Sequence, residues 1–108
     1  MNGIMQLSIV IVNYNSKLLL ENCLVSIKKA IEEIETEIII VDNNSTDGSK
    51  EHLPVKFPDI KLIFNSENLG FAKACNQGFE VASGKYVLFL NPDTILPETS
   101  LTACLSFF

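Results

Sequence analysis

The sequence predicts an α/β protein, a three-layer α/β/α sandwich around a parallel sheet, and three observations predict it. Short runs rich in Ile, Val, Leu and Phe recur along the chain, each about one strand long. Segments with apolar residues at three- and four-residue spacing separate them, which is the period of an amphipathic helix. Each run also ends in a cluster of Asn, Asp and Ser. Strand alternating with helix in this way is the pattern of right-handed βαβ units.

Residues 7–12 form a β-branched run that reads as a strand apolar on both faces, as a parallel sheet requires. A helix is predicted over 16–34, because Leu20, Leu24, Ile27, Ile31 and Ile34 share one face; Asn15 or Ser16 caps it. The second strand covers 37–41 and gives way to Asp42-Asn43-Asn44-Ser45-Thr46-Asp47-Gly48-Ser49. A short helix runs to about Leu53, with Pro54 and Pro58 marking a loop. The third strand is 60–64. The helix after it, over 71–82, has Phe71, Ala74, Cys75, Gly78, Phe79 and Ala82 on one side, and Ser83-Gly84 closes it. The fourth strand, 86–90, ends at Asn91-Pro92-Asp93-Thr94, and Pro97 is placed to open a last helix. The commonest order for four such strands is 3-2-1-4, a Rossmann-like sheet in which strands one and four meet at the switch point.

Composition narrows the function. At 108 residues the chain has room for one small domain, residues 1–108. A net charge of −5 with scattered lysines excludes nucleic acid as a partner, since phosphate backbones are bound by clustered cations. Cys23, Cys75 and Cys104 follow no metal-ligand spacing and have apolar neighbours, which points to reduced thiols in a cytoplasmic protein. The N-terminus has no signal-peptide pattern, and every apolar run is far shorter than the ~20 residues of a membrane helix.

The chemistry collects after the strands. Asn13-Tyr14-Asn15, Asp42-Asn43-Asn44 and Asn91-Pro92-Asp93 follow strands one, two and four. With order 3-2-1-4 they share the C-terminal edge of the sheet, where doubly wound folds bind ligands. Asn and Asp are also ordinary turn residues, so each cluster alone has a plain structural explanation. Strand one is followed by Val12-Asn13-Tyr14-Asn15 and no glycine-rich turn, which excludes the usual dinucleotide site, and there is no phosphate loop. A diphosphate bound here needs a metal as counter-charge. Asp93 is the candidate ligand for Mg2+ or Mn2+, with Asn91 two residues earlier adding a neutral oxygen and Pro92 stiffening the turn.

Four motifs carry a resemblance to a known family. They are Ser8 to Asn15, Ile40 to Ser49, Asn68 to Gly78 and Leu90 to Asp93, in that order, and together they are similar to glycosyltransferase family 2. Asp-Asn-Asn after strand two and Asn-Pro-Asp after strand four most resemble its rhamnosyltransferase-type branch. The resemblance implies the N-terminal half of a GT-A fold. It also implies inverting transfer from a UDP- or dTDP-sugar to a hydroxyl of a glycan acceptor, in polysaccharide synthesis.

By position, Tyr14 resembles the aromatic residue beside the nucleobase, and Asp42 with Asn43 matches the acidic pair that contacts base and ribose. Asp93 matches the last carboxylate of the metal motif, and Asn91 stands where that motif begins with Asp. Val12 and Asn13 join the nucleotide site, and Asn68, Gly70, Lys73 and Asn76 match the third motif, with Lys73 placed to reach phosphate. His52 belongs to no motif and reads as a surface residue. The general base of the family lies C-terminal to the metal motif, so it is expected beyond Phe108, and Glu98 is too close to the turn to serve. The chain is therefore expected to be a donor half truncated before the acceptor half. It would be inactive alone, at the inner face of the membrane when part of a longer protein, and prone to self-association through an open edge and the apolar tail from Leu101 to Phe108. Two other classes remain open: a metal-dependent nucleotidyltransferase, and a non-catalytic module that binds nucleotide sugars.

Overall fold

A computed structural model describes residues 6–97 and Leu101. The elements are β1 (Leu7–Asn13), α1 (Lys17–Ala30), β2 (Thr36–Asp42), α2 (Ser49–Lys56), β3 (Lys61–Phe64), α3 (Phe71–Val81) and β4 (Tyr86–Leu90). The four strands form one parallel sheet in the order β3-β2-β1-β4, as the sequence predicts. The predicted helix at Pro97, Cys104 and the tail after Leu101 lie outside the described residues, as does Glu98. Leu101 itself is helical and buried in the main core. No helix among the described residues is long and apolar enough to cross a membrane.

Chain reversal and handedness decide which face each helix covers. The crossovers from β1 to β2 and from β2 to β3 step the same way along the sheet, so α1 and α2 share one face. Leu20, Cys23, Leu24 and Ile27 of α1 with Leu53 of α2 pack there on Ile9, Ile11, Ile38 and Ile40. The crossover from β3 to β4 runs back across β2 and β1, which puts α3 on the opposite face against Val10, Ile39 and Val41. Central strands buried from both sides account for the unbroken apolar runs in β1 and β2. The contact with α3 is close because Gly78 lies on Val10: a Cβ at Gly78 would stand 2.4 Å from Val10 Cγ1.

Several boundaries differ from the sequence prediction for local reasons. Helix α1 ends at Ala30, not at 34, and Ile31 to Ile34 continue as a turn. Glu32, Glu33 and Glu35 would place negative charge at the negative end of the helix dipole. Helix α2 carries Pro54 inside its last turn, where the exposed backbone is left to water. The outer side of α3 is uncovered, so Phe71 (58% exposed) and Phe79 (57%) do not join Ala74 and Gly78 in the core. His52 belongs to no motif and is half-buried, 3.5 Å from Glu21, which also pairs with Lys56.

A charged buckle closes the N-terminal end of the sheet. The nearly buried Glu37 of β2 accepts from Ser8 Oγ (2.5 Å), Ser83 N–H (2.5 Å) and Ser83 Oγ (2.9 Å). Its other oxygen is 2.7 Å from Lys61 Nζ. Ser8 Oγ in turn accepts from Gly84 N–H at 2.8 Å, so the buckle joins β1, β2, β3 and the start of β4.

Candidate nucleotide cleft at the C-terminal sheet edge

The opposite end of the sheet carries the candidate site. β1 and β2 end in register, with Asn13 opposite Asp42, and β4 ends beside β1 one strand away. Past the strands the chain turns sharply at Asn15 (φ 52) and Asn44 (φ 66), left-handed positions that asparagine tolerates. These turns open a cleft of about 330 Å³ lined by Val12, Tyr14, Ser16, Asn43, Asn68, Gly70, Phe71 and Pro92. Its walls come from four separate segments, those following β1, β2, β3 and β4.

A buried polar cluster ties together the strand ends next to the cleft. The Asp42 carboxylate is fully buried and accepts from Ser45 Oγ (2.7 Å), Ser45 N–H (2.8 Å) and Asn13 Nδ2 (2.9 Å). Asn13 Nδ2 also reaches Ser45 Oγ at 3.3 Å, while Asn13 Oδ1 is buried without a partner among the described residues. Neither Asn13 nor Asp42 lines the cleft. The pair joins the ends of β1 and β2 and anchors the Ser45 loop beside it.

The same loop caps α1. No side chain of Asn15 or Ser16 does so; the Lys17 N–H donates instead to Asp47 Oδ2 at 2.9 Å, and Thr46 N–H donates to Asn15 Oδ1 at 2.7 Å. Ser49 N–H and Oγ both donate to Asp47 Oδ1, which with the Lys17 contact outweighs burial and lowers the Asp47 pKa. Ser45 and Asp47 were missed as site builders. The Asp-x-x-Ser spacing from Asp42 to Ser45 is the turn signature that marks them.

Of the remaining predicted residues, Val12, Tyr14 and Asn43 come together in the cleft. Tyr14 is 49% exposed and lines the same cleft as Phe71, so two aromatic rings share it. Asn43 is nearly buried; its Nδ2 donates to the Gly70 carbonyl at 3.1 Å and ties the cleft wall to β2. Gly70 holds φ 84, and no side chain caps the helix it starts, so the first N–H groups of α3 stand free at the rim. Lys73 projects from that first turn, exposed and without an ion pair among the described residues, and does not line the cleft. Asn76 is exposed and does not line the cleft.

The metal candidate sits on a turn held by α1. The Asn91 carbonyl accepts from Thr94 N–H at 3.1 Å and from Cys23 Sγ at 3.9 Å, and Ser26 Oγ accepts from Leu96 N–H at 3.0 Å. Burial and the nearby Asp93 charge push the Cys23 thiol up to about 11, so it stays a proton donor to that turn. Asp93 is exposed, and its carboxylate has no hydrogen bond or ion pair among the described residues. No three His, Cys, Asp or Glu side chains gather to hold a metal among those residues. One free carboxylate and the Asn91 amide oxygen fit a hard cation whose other ligands are phosphate oxygens and water.

The comparison with known sequences decides what kind of protein this cleft belongs to. The Glycosyl transferase family 2 model matches residues 8–108. The chain belongs to glycosyltransferase family 2. It is 33% identical to the poly(ribitol-phosphate) beta-glucosyltransferase of Bacillus spizizenii, over 95% of this chain and 17% of that protein. Among solved structures, S. aureus TarS 1–349 in complex with UDP is similar with a TM-score of 0.84 and 26% identity, covering 95% of this chain and 32% of that one. The mannosyltransferase PcManGT from Pyrobaculum calidifontis, in complex with GDP-Man and Mn2+, gives a TM-score of 0.77 at 25% identity, over 91% of this chain and 30% of that one. The fold is thus the Rossmann-like N-terminal half of a GT-A glycosyltransferase. Curated glycosyltransferases at 36–37% identity are much longer, and the chain spans 24 to 33% of their length.

Proposed function

We propose that this chain is the donor-binding part of an inverting glycosyltransferase that takes a UDP- or dTDP-sugar and glycosylates a hydroxyl of a glycan acceptor. The observation that carries the reading is the cleft itself, with Tyr14 and Phe71 as its rings and the uncommitted Asp93 on the neighbouring turn. Tyr14 supplies stacking area for the base. The free N–H groups of α3 and Lys73 favour the phosphates. Asp93 and Asn91 would hold a divalent cation, which would supply counter-charge for the diphosphate. The UDP and GDP-Man complexes of similar structures support a nucleotide-sugar donor. The relative acting on poly(ribitol-phosphate) supports a polymer acceptor in cell-surface glycan synthesis.

The general base that deprotonates the acceptor belongs, in this reading, to an acceptor half following Phe108. The whole protein is placed in the cytoplasm at the inner face of the membrane, in keeping with the free thiols of Cys23 and Cys75.

Calorimetric titration of the chain with UDP and dTDP, in manganese and in excess chelator, tests the donor site. Binding is expected only with metal, and Asp93→Asn is expected to abolish the metal dependence together with most of the affinity. Asn91→Asp should tighten the metal. Equal affinity with and without metal, unchanged by Asp93→Asn, would make Asp93 a plain turn residue.

A further inference from the structure

A chain of side-chain amides leads from the outer part of the fold to the cleft. Gln77 of α3 and Asn65, just after β3, form a reciprocal pair: Gln77 Nε2 donates to Asn65 Oδ1 at 2.9 Å, and Asn65 Nδ2 donates to Gln77 Oε1 at 2.8 Å. The second Asn65 Nδ2 proton goes to Asn43 Oδ1 at 3.0 Å. Leu69 N–H reaches the same Asn43 oxygen at 3.4 Å, and Asn43 Nδ2 donates to the Gly70 carbonyl.

The two backbone groups fix the polarity of the whole chain. A carbonyl can only accept and an N–H can only donate, so the Asn43 amide has one allowed orientation, and Asn65 and Gln77 follow from it. Both lone pairs of Asn43 Oδ1 are then engaged, and one Nδ2 proton is used. Among the described residues the other Nδ2 proton has no partner, and Asn43 lines the cleft.

We propose that Asn43 meets the nucleobase as a donor, to a carbonyl oxygen or ring nitrogen, and that Gln77 is a positioning residue that keeps the Asn65 amide in place against Asn43. The inference rests on the nucleotide reading above. An aspartate at this position would present only acceptors, so it would call for a base N–H instead. Gln77 does not line the cleft and touches it only through Asn65.

The test compares UDP with inorganic pyrophosphate, both with manganese, by titration calorimetry on the chain and its variants. Pyrophosphate lacks the base, so it reports on the phosphate and metal contacts alone. Gln77→Ala is expected to weaken UDP by about three- to tenfold, the worth of one or two hydrogen bonds, with pyrophosphate affinity unchanged. Gln77→Glu keeps the acceptor and loses the donor, and should fall between. Asn43→Asp should weaken UDP further, since a carboxylate would face the Gly70 carbonyl. An unaltered ratio of UDP to pyrophosphate affinity in Gln77→Ala overturns the positioning role. Equal or tighter UDP binding by Asn43→Asp overturns the donor polarity. Absence of UDP binding by the unaltered chain overturns the nucleotide reading itself, and this inference with it.

Discussion

Asn13 and Asp42 face each other at the last register position of β1 and β2, and the Asn13 amide donates to the Asp42 carboxylate at 2.9 Å. The pair is buried, and Asp42 also accepts two bonds from Ser45. Removing the carboxylate leaves three donors without their acceptor in a dry site. Asp42→Ala should therefore cost about 2 to 4 kcal/mol, read as a fall in the urea midpoint. UDP binding should fall with it because the loops lose their anchor. Unchanged stability with lost binding would instead make Asp42 a direct ligand contact.

Tyr14 offers a separate test of base stacking, since it is half exposed and lines the cleft. Tyr14→Ala should weaken UDP by roughly five- to hundredfold, the range for one base on one aromatic ring. Tyr14→Phe keeps the ring and should bind within about twofold of the parent. Because the side chain is exposed, neither change should move the melting temperature by more than a few degrees.

Glu37 sets the acid limit of the fold. Burial raises its pKa, but the Lys61 ammonium, the Ser8 hydroxyl and the Ser83 amide and hydroxyl together outweigh burial and bring it from 4.5 to about 2. The folded protein thus keeps the carboxylate charged where the unfolded chain would protonate it. The resulting stability is complete above the unfolded pKa and is lost as pH falls from 4.5 toward 2. Urea midpoints measured across that window should drop steeply for the parent. Glu37→Gln should start lower at neutral pH, by about 2 kcal/mol, and show a shallower acid slope.

Gly78 of α3 packs directly on Val10 of β1. A methyl there would stand 2.4 Å from Val10 Cγ1, and Val10 is itself buried. Gly78→Ala gains helix propensity, yet overpacking should leave it about 1 to 3 kcal/mol less stable by chemical denaturation. The double variant Gly78→Ala with Val10→Ala should recover part of that loss, a coupling that two independent sites would not give.

The sheet was legible because its signal is local. β1 and β2 are buried on both faces, which forces apolar runs with no alternation, and 3-2-1-4 is the commonest order for four strands so connected. The shared edge for Tyr14 and Asn43 follows from that order. What remained hidden depends on partners far along the chain. Nothing near Asp42 in sequence tells whether its carboxylate turns outward to a ligand or inward to Asn13, 29 residues away. Asp47 caps α1 from the far side of β2 and displaces the expected Asn15 or Ser16 cap. Glu37 looks like an ordinary polar residue at a strand start until Ser83, 46 residues later, is packed against it. The exposed Phe71 and Phe79 mislead for another reason: apolar periodicity marks a face without naming what covers it.

The sheet order also dictates when a growing chain first owns its cleft. β1 is made first but receives β4 last, and the Pro92 wall arrives only after β4 has been inserted beside it. A nascent chain emerging from the ribosome therefore holds a half-open β1 edge through the synthesis of every element in between. Nucleotide has nothing complete to grip until that final pairing. Ligand present in the cell would then act once β4 has paired with β1, slowing its reopening by mass action.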